Sequence, residues 1–191
     1  IQKYAVYKYP QTRKKAMKAK KVNLKFFPEG GNLVKGVPSQ VAFEATDAYG
    51  NPITLFGRII NRRKEEIGHF ATIHEGRGVF TYIPTGEDAD KAEVELGGKK
   101  YRFDLPEVCS QRYVLHVDNL TSEDSIAVSV QKNTYTPSNL LGLAVIAHGK
   151  LLNSCLLNVG KNTPVSFKLD KSEWTPGVVQ LVLFDTAGQI I

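Results

Sequence analysis

The chain has four histidines that could bind a metal, but their spacing argues against a metal site. His69 and His74 are five residues apart, so on one strand they would point to opposite faces. Zinc requires about four nitrogen, sulfur or carboxylate ligands at one point, and no such cluster accompanies this pair. His116 and His148 follow later, on faces that we expect to be exposed. The sequence therefore predicts no metal site.

An acidic loop after Gly86 offers a second possible cation site, formed by Glu87, Asp88 and Asp90. Calcium requires several oxygen ligands that converge within a defined loop, and the spacing here does not match an EF-hand. We therefore interpret this segment as a solvated turn.

The segment Glu29-Gly30-Gly31 leaves two functions open. A glutamate beside two glycines could bind a cation or a backbone group, whereas Pro28 followed by glycines is typical of a tight turn between strands. We favour the turn.

No pattern in the sequence indicates catalysis. The nucleophile motif Gly-x-Ser-x-Gly is absent from the sequence. Gly76-Arg77-Gly78 is the chain's Gly-x-Gly, and no helical pattern follows it, so it does not indicate a dinucleotide or phosphate site. The sequence predicts no catalytic residue, no cofactor and no enzymatic activity.

The two cysteines, Cys109 and Cys155, could form one disulfide if their backbones lie close enough. Cys155 alternates with Leu157 and Val159, a pattern that favours packing as a small apolar side chain. The sequence does not decide whether the two cysteines meet.

Positive charge is concentrated at the start of the chain. Residues 1–22 contain eight basic side chains and no acid, while the remainder has 17 basic and 19 acidic residues, a net charge of −2. The basic run 8–21 could bind nucleic acid, with Tyr4, Tyr7 and Tyr9 stacking on bases, or an anionic membrane surface. Like-charged runs more often form solvated linkers. We interpret residues 1–21 as the end of a preceding domain and a basic linker, and predict no nucleic-acid partner.

Other sequence signals address membranes and modification. No apolar run approaches the roughly 18 residues that a membrane-spanning helix needs, so we predict no membrane insertion by these residues. Asn119-Leu120-Thr121 is a glycosylation sequon, relevant only if the protein is secreted by a eukaryote.

Short alternating segments dominate the rest of the chain and predict an all-β fold. Turn signals recur every 8–12 residues, and one apolar face per strand indicates antiparallel sheets with a solvated side. Gly97-Gly98 joins the clearest hairpin. We predict two tandem immunoglobulin-like antiparallel β-sandwiches, at 22–107 with seven strands and at 110–191 with six, where 188–191 would begin a seventh. The chain is interpreted as a fragment of a longer protein.

A repeated turn supports this tandem arrangement. Asp, Gly and Ile occur with the same spacing in Asp47-Ala48-Tyr49-Gly50-Asn51-Pro52-Ile53 and in Asp185-Thr186-Ala187-Gly188-Gln189-Ile190-Ile191. The aspartate can accept hydrogen bonds from the turn backbone, and the glycine can adopt positive φ. One turn used twice suggests two units of one type.

Four segments resemble the macroglobulin-type β-sandwich of the α2-macroglobulin family, most closely bacterial members such as Bacteroidetes envelope proteins: 24–38, 41–53, 76–84 and 174–185. The resemblance implies a scaffold in a cell-envelope protein, periplasmic or outer-membrane associated, or in a secreted one. The thioester motif Cys-Gly-Glu-Gln of that family is absent, because Cys109 precedes Ser110-Gln111 and Cys155 precedes Leu156-Leu157. These residues therefore cannot trap a protease covalently.

The predicted function is non-catalytic. We expect structural and protein-interaction modules whose partners are other domains of the same chain and a protein bound at an exposed strand edge. Two alternatives stay open. One is a glycan-binding or adhesion module that uses exposed aromatic residues, for which Trp174 and Tyr49 are candidates. The other is an accessory region of an enzyme whose catalytic domain lies elsewhere.

Overall fold

A computed structural model describes residues 22–86, 90–160 and 163–191. The basic segment 1–21, together with Glu87 and Asp88 of the acidic loop, lies outside these ranges, so the predictions for them stay predictions.

The described residues form fifteen β-strands and one short 3₁₀ turn, and they contain no α-helix. The strands are β1 Asn23–Pro28, β2 Leu33–Val34, β3 Ser39–Thr46, β4 Phe56–Ile60, β5 Glu66–Ala71, β6 Arg77–Tyr82, β7 Lys91–Leu96, β8 Lys99–Asp104, β9 Val108–Cys109, β10 Tyr113–Asp118, β11 Ser125–Lys132, β12 Leu140–Ala147, β13 Lys150–Asn158, β14 Val165–Asp170 and β15 Val179–Phe184, and the 3₁₀ turn is Glu29–Gly31. The predicted all-β class is confirmed, and each predicted strand corresponds to an observed one.

The two halves of the chain share one strand order. The first half forms the sheets β1-β3-β6 and β5-β4-β7-β8, and the second forms β10-β11-β14 and β13-β12-β15. If the two-residue strands are set aside, the pairing in the second half repeats that of the first without a counterpart of β8. Ile190 makes an isolated antiparallel bridge to Phe184, where the sequence predicted a further strand to begin.

A cluster of phenylalanines fills the first core. Phe70 contacts Phe43, Phe80 and Phe26, with ring centroids 5.0, 5.3 and 6.0 Å away. The ring lies directly over Gly57 of β4, where an added Cβ would come within 2.3 Å of it. The cluster therefore depends on a glycine in the neighbouring strand.

The second core is mainly aliphatic. Its fully or nearly fully buried members come mostly from β11, β12 and β13, and Trp174 packs against them as a partly buried side chain. The buried members are Val130, Leu141, Leu143, Val145, Leu157, Val159 and Leu183. Because Trp174 is the chain's single tryptophan, it is a natural probe of this core.

The repeated turn is the same structure twice. Asp47 Oδ1 accepts hydrogen bonds from the backbone N–H groups of Tyr49 and Asn51, and Asp185 Oδ1 accepts the equivalent pair from Ala187 and Gln189. The sequence prediction of the turn chemistry holds. The two copies nevertheless follow different strands, since Asp47 comes directly after the central strand β3 and Asp185 directly after the edge strand β15. The equivalence of the halves therefore rests on strand order, and the turn does not mark matching positions.

A ladder of charges crosses the outer face of the sheet β5-β4-β7-β8. Glu93 is 3% exposed, and its carboxylate accepts from Arg58 at 2.6 and 3.0 Å and from Arg102 at 2.9 Å. The hydrogen bonds from Arg58 and then Arg102 lower the pKa of Glu93 from 4.5 to about 2. The three residues occupy paired positions on β4, β7 and β8, so they join those strands.

We expect Glu93→Gln to lower the free energy of unfolding by about 2 kcal/mol at pH 7, since charge-assisted hydrogen bonds contribute about 1.5–3 kcal/mol. A depressed folded-state pKa stabilises the protein above the unfolded value of 4.5 and loses this effect as the pH falls towards 2. Urea unfolding of wild type and of Glu93→Gln between pH 7 and pH 2.5 should therefore show a difference in the free energy of unfolding that shrinks as the pH falls. A difference independent of pH would contradict the role of the charge.

Candidate functional site: the junction between the two cores

The turn that follows β1 packs directly on β10 of the second half. Glu29 Oε1 accepts a hydrogen bond from the backbone N–H of Val117 at 2.9 Å, and Glu29 Oε2 lies 2.6 Å from His116 Nδ1. Gly30, with φ of 73°, brings the turn within contact distance of the Leu115 backbone. Glu29 therefore forms the expected turn and also binds a backbone group of the other half.

His116 lies half-buried against Glu29, so the expectation of an exposed face is wrong. The reason is that both faces of β10 are covered. Tyr113 and Leu115 pack on the second core, while Val114, on the opposite face, forms a small buried cluster with Val34 and Val37 of the first half. The alternation of apolar residues along β10 predicted only the face that carries Tyr113 and Leu115.

A two-stranded parallel pair ties the connecting segment to the first half. Leu33 and Val34 of β2 pair with Val108 and Cys109 of β9. The backbone N–H of Lys35 continues the contact, donating to the carbonyl of Cys109 at 3.0 Å. The segment between the two cores is therefore bound along the edge of the first.

Asn133 is the polar centre of the junction. Its side chain is 4% exposed, and Nδ2 donates to the carbonyls of Lys35 and Ser110, each at 2.9 Å. Oδ1 accepts from the backbone N–H groups of Tyr135 and Thr136, each at 3.2 Å. One amide thus joins the first half, the connecting segment and the loop after β11.

Sequence reasoning missed Asn133. Its oxygen accepts from N–H groups two and three residues further along the chain, which is typical of an ordinary turn. The two carbonyls that accept from its Nδ2 have no sequence signal, because Lys35 lies 98 positions away and Ser110 lies 23 positions away. Beside it, Lys132 is fully buried, and its Nζ donates to the Thr136 carbonyl at 2.6 Å.

A polar crevice of about 240 Å³ opens at the junction. Glu29 and His116 line it together with five hydroxyl and amide side chains: Ser39, Gln40, Thr81, Ser129 and Gln131. Such groups can hydrogen-bond a polar partner. The crevice lining contains no cysteine, and its carboxylate is already bound to His116 and Val117.

The remaining histidines are separated from one another. His69, on β5, stacks on Phe56 with centroids 6.1 Å apart, and exposed His74 lies 3.8 Å from the Glu75 carboxylate. His148 occupies an exposed turn with φ of 50°. In the part of the chain that the structure describes, no three His, Cys, Asp or Glu side chains are placed to share a metal ion.

Asp90 differs from the solvated turn that the sequence predicted, since it is 8% exposed. Its Oδ2 accepts hydrogen bonds from the hydroxyls of Tyr82 and Thr85, which fasten the loop to β6. Burial, and then the Asp90 contact, raise the pKa of the Tyr82 phenol well above its usual value. Asp90 is thus a structural acceptor.

Both cysteines are free thiols. Cys155 packs against the second core, as its alternation predicted, and burial raises the pKa of its thiol. Cys109 Sγ lies 3.7 Å from Asn32 Oδ1 in the segment that joins the halves. A raised thiol pKa reduces the thiolate fraction, so Cys155 is poorly suited to nucleophilic chemistry.

The aromatic candidates for glycan binding lie in different halves. Tyr49 is 77% exposed in the first copy of the repeated turn, whereas Trp174 packs on the second core. They do not form a shared platform. In the sequon, Asn119 is exposed, and its Oδ1 accepts from Lys171 Nζ at 3.2 Å.

Within the described ranges, no helix has the length and hydropathy required to cross a bilayer.

Comparison with known proteins finds likeness to solved structures alone. No protein-family model matches the chain, and no curated protein matches it. A cryo-EM structure of the native conformation of E. coli alpha-2-macroglobulin matches with 14% identity and a TM-score of 0.32, covering 88% of this chain. The match spans 14% of the length of that protein, and a likeness at this level does not identify a function.

Proposed function

We propose that the chain forms two consecutive β-sandwich modules, at 22–107 and 110–191, that act as a non-catalytic structural and protein-interaction region of a larger α2-macroglobulin-like protein. The proposed location is the cell envelope, periplasmic or outer-membrane associated, or the extracellular medium. The observation that carries the proposal is the junction, where Asn133 and Glu29 bind backbone groups of other segments.

A scaffold must hold its modules at a defined distance and orientation. Here two kinds of contact do so. The buried cluster of Val34, Val37 and Val114 supplies apolar contact, and the hydrogen bonds of Glu29 and Asn133 supply direction. Buried polar groups need partners in one geometry, so rotation about the junction would leave them unsatisfied. The arrangement therefore favours one orientation of the two modules.

We expect Glu29→Ala to loosen the junction while both modules stay folded. The change removes the acceptor of the Val117 N–H group and the partner of His116, a loss of about 1–2 kcal/mol. Small-angle X-ray scattering should show a larger radius of gyration and a broader distance distribution, with little change in far-UV circular dichroism. The control is Glu75→Ala, which removes an exposed carboxylate away from the junction. Identical scattering from Glu29→Ala and wild type would contradict the proposed role of Glu29.

A further inference from the structure

Strand β13 is a long, apolar and exposed sheet edge. It spans nine residues, and within the described ranges it pairs with β12 alone. Leu151 is 62% exposed, Leu152 is 42% exposed and Leu156 is 73% exposed. Its single charged residue is Lys150, at the first position. An exposed edge of this kind presents unpaired backbone groups to another strand.

The matching edge of the first half is protected. Strand β5 holds the same place, beside β4, that β13 holds beside β12. It is six residues long, carries Glu66 and His69, and follows the charged turn 62–65. Charges and short length are the usual means by which proteins block edge pairing. The second half lacks these devices at the same position, which marks β13 as an edge available for contact.

The outer face next to this edge is also apolar. Leu156 pairs with Gly142 of β12, which pairs in turn with Phe184 of β15. The Phe184 ring lies over Gly142, so close that a Cβ there would come within 2.0 Å of it. Leu156 and Phe184 therefore form one apolar row across the three strands, and the row ends at the β13 edge.

We propose that β13 binds the same strand of a second copy of this chain, in antiparallel orientation about a two-fold axis at Leu156. The regular part of β13, residues 153–158, contains no charge, so no like charges oppose each other in this register. Each Leu156 faces its partner's Leu156 on the outer face, and Cys155 pairs with the partner's Leu157 on the inner face. Ser154 pairs with the partner's Asn158.

This register joins the two apolar rows into one. The three-stranded sheets β13-β12-β15 of two copies become a continuous six-stranded sheet, in which main-chain hydrogen bonds join the edges and the leucines cover the centre. When β13 pairs with itself in antiparallel orientation, apolar side chains face apolar ones and polar side chains face polar ones. This self-complementarity favours a second copy over an unrelated extended segment. The inference rests on the proposed protein-interaction role.

Leu156→Lys tests the proposal by placing two ammonium groups opposite each other at the axis. Analytical ultracentrifugation of the full chain up to about 1 mM should show wild type rising from 21.2 kDa to twice that mass. We expect the substitution to raise the dissociation constant at least about tenfold. Leu120→Lys, at a side chain that is 97% exposed on a turn, is the matched control and should dimerise like wild type.

Three outcomes would overturn self-association through β13: wild type that stays at 21.2 kDa, a Leu156→Lys dimer as tight as wild type, or equal loss in the control. If Leu156→Lys fails to fold, judged by Trp174 emission, the double substitution Ser154→Lys/Asn158→Lys on the same outer face replaces it. In this register it opposes two pairs of ammonium groups, so the expectation is the same. If wild type is monomeric and its small-angle scattering fits two modules in one fixed orientation, the dimer is refuted and the proposed scaffold role stands.

Discussion

Phe70→Ala is expected to lower the free energy of unfolding of the first core by about 3–5 kcal/mol, the usual range for a buried phenylalanine. Phe70 is 2% exposed and contacts three other rings. The substitution leaves a cavity above Gly57, whose missing side chain cannot fill it. If the halves are separate modules, the second core should retain nearly its original stability.

Two optical probes separate the halves in this experiment. Trp174 is the single tryptophan and packs on the second core, so its emission reports that core alone. Far-UV circular dichroism reports the strands of both. In Phe70→Ala we expect an early dichroism transition at which Trp174 emission does not change, followed by a later one seen by both probes.

Phe27→Ala is the matched control, because Phe27 is 52% exposed on β1 and lies outside the cluster. It should shift neither transition by more than about 1 kcal/mol. If Trp174 emission and dichroism instead shift together in Phe70→Ala, the chain unfolds as one cooperative unit. The proposed division at 22–107 and 110–191 would then be wrong.

Asn133→Asp is expected to destabilise the junction by about 3–5 kcal/mol, the cost of an uncompensated buried charge. The aspartate keeps the oxygen that accepts from Tyr135 and Thr136 but loses both donors. A carboxylate oxygen then faces the carbonyls of Lys35 and Ser110, which are left without their hydrogen bonds. Burial beside two carbonyls favours the neutral acid, so lowering the pH should reduce the loss.

Thermal unfolding and small-angle scattering at pH 8 and pH 5 measure this effect. Wild type should give the same compact scattering profile at pH 8 and at pH 5. The Asn133→Asp protein should be more extended and less stable to heat at pH 8 than at pH 5. Asn139→Asp, at an exposed asparagine after the same loop, is the control and should match wild type. A stable, compact Asn133→Asp protein at pH 8 would show that the amide does not hold the junction.

Local patterns predicted the strands because alternation and turn chemistry act over a few residues. The β7–β8 hairpin at Gly97-Gly98 and the aspartate turns after β3 and β15 are of this kind. Strands β2 and β9 escaped prediction, since two residues are too few to show a period of two. Their pairing depends on contact between distant segments.

The junction could not be predicted for the same physical reason. Glu29 looks like a turn residue and His116 like a solvent-facing one, and only the packing of the first turn against β10 brings them within 2.6 Å. Asp90 was misjudged because hydroxyls from Tyr82 and Thr85 cover its carboxylate. In each case the partner is set by tertiary structure.

The parallel pair of β2 and β9 has a consequence for how the protein is made. During synthesis, Leu33 and Val34 leave the ribosome long before Val108 and Cys109, which complete their pairing. The amino-terminal unit therefore cannot finish folding when its last long strand appears; it must wait for the connecting segment. A recombinant fragment cut at residue 107 would share this defect permanently, whereas one extended through Ser110 would include the missing strand.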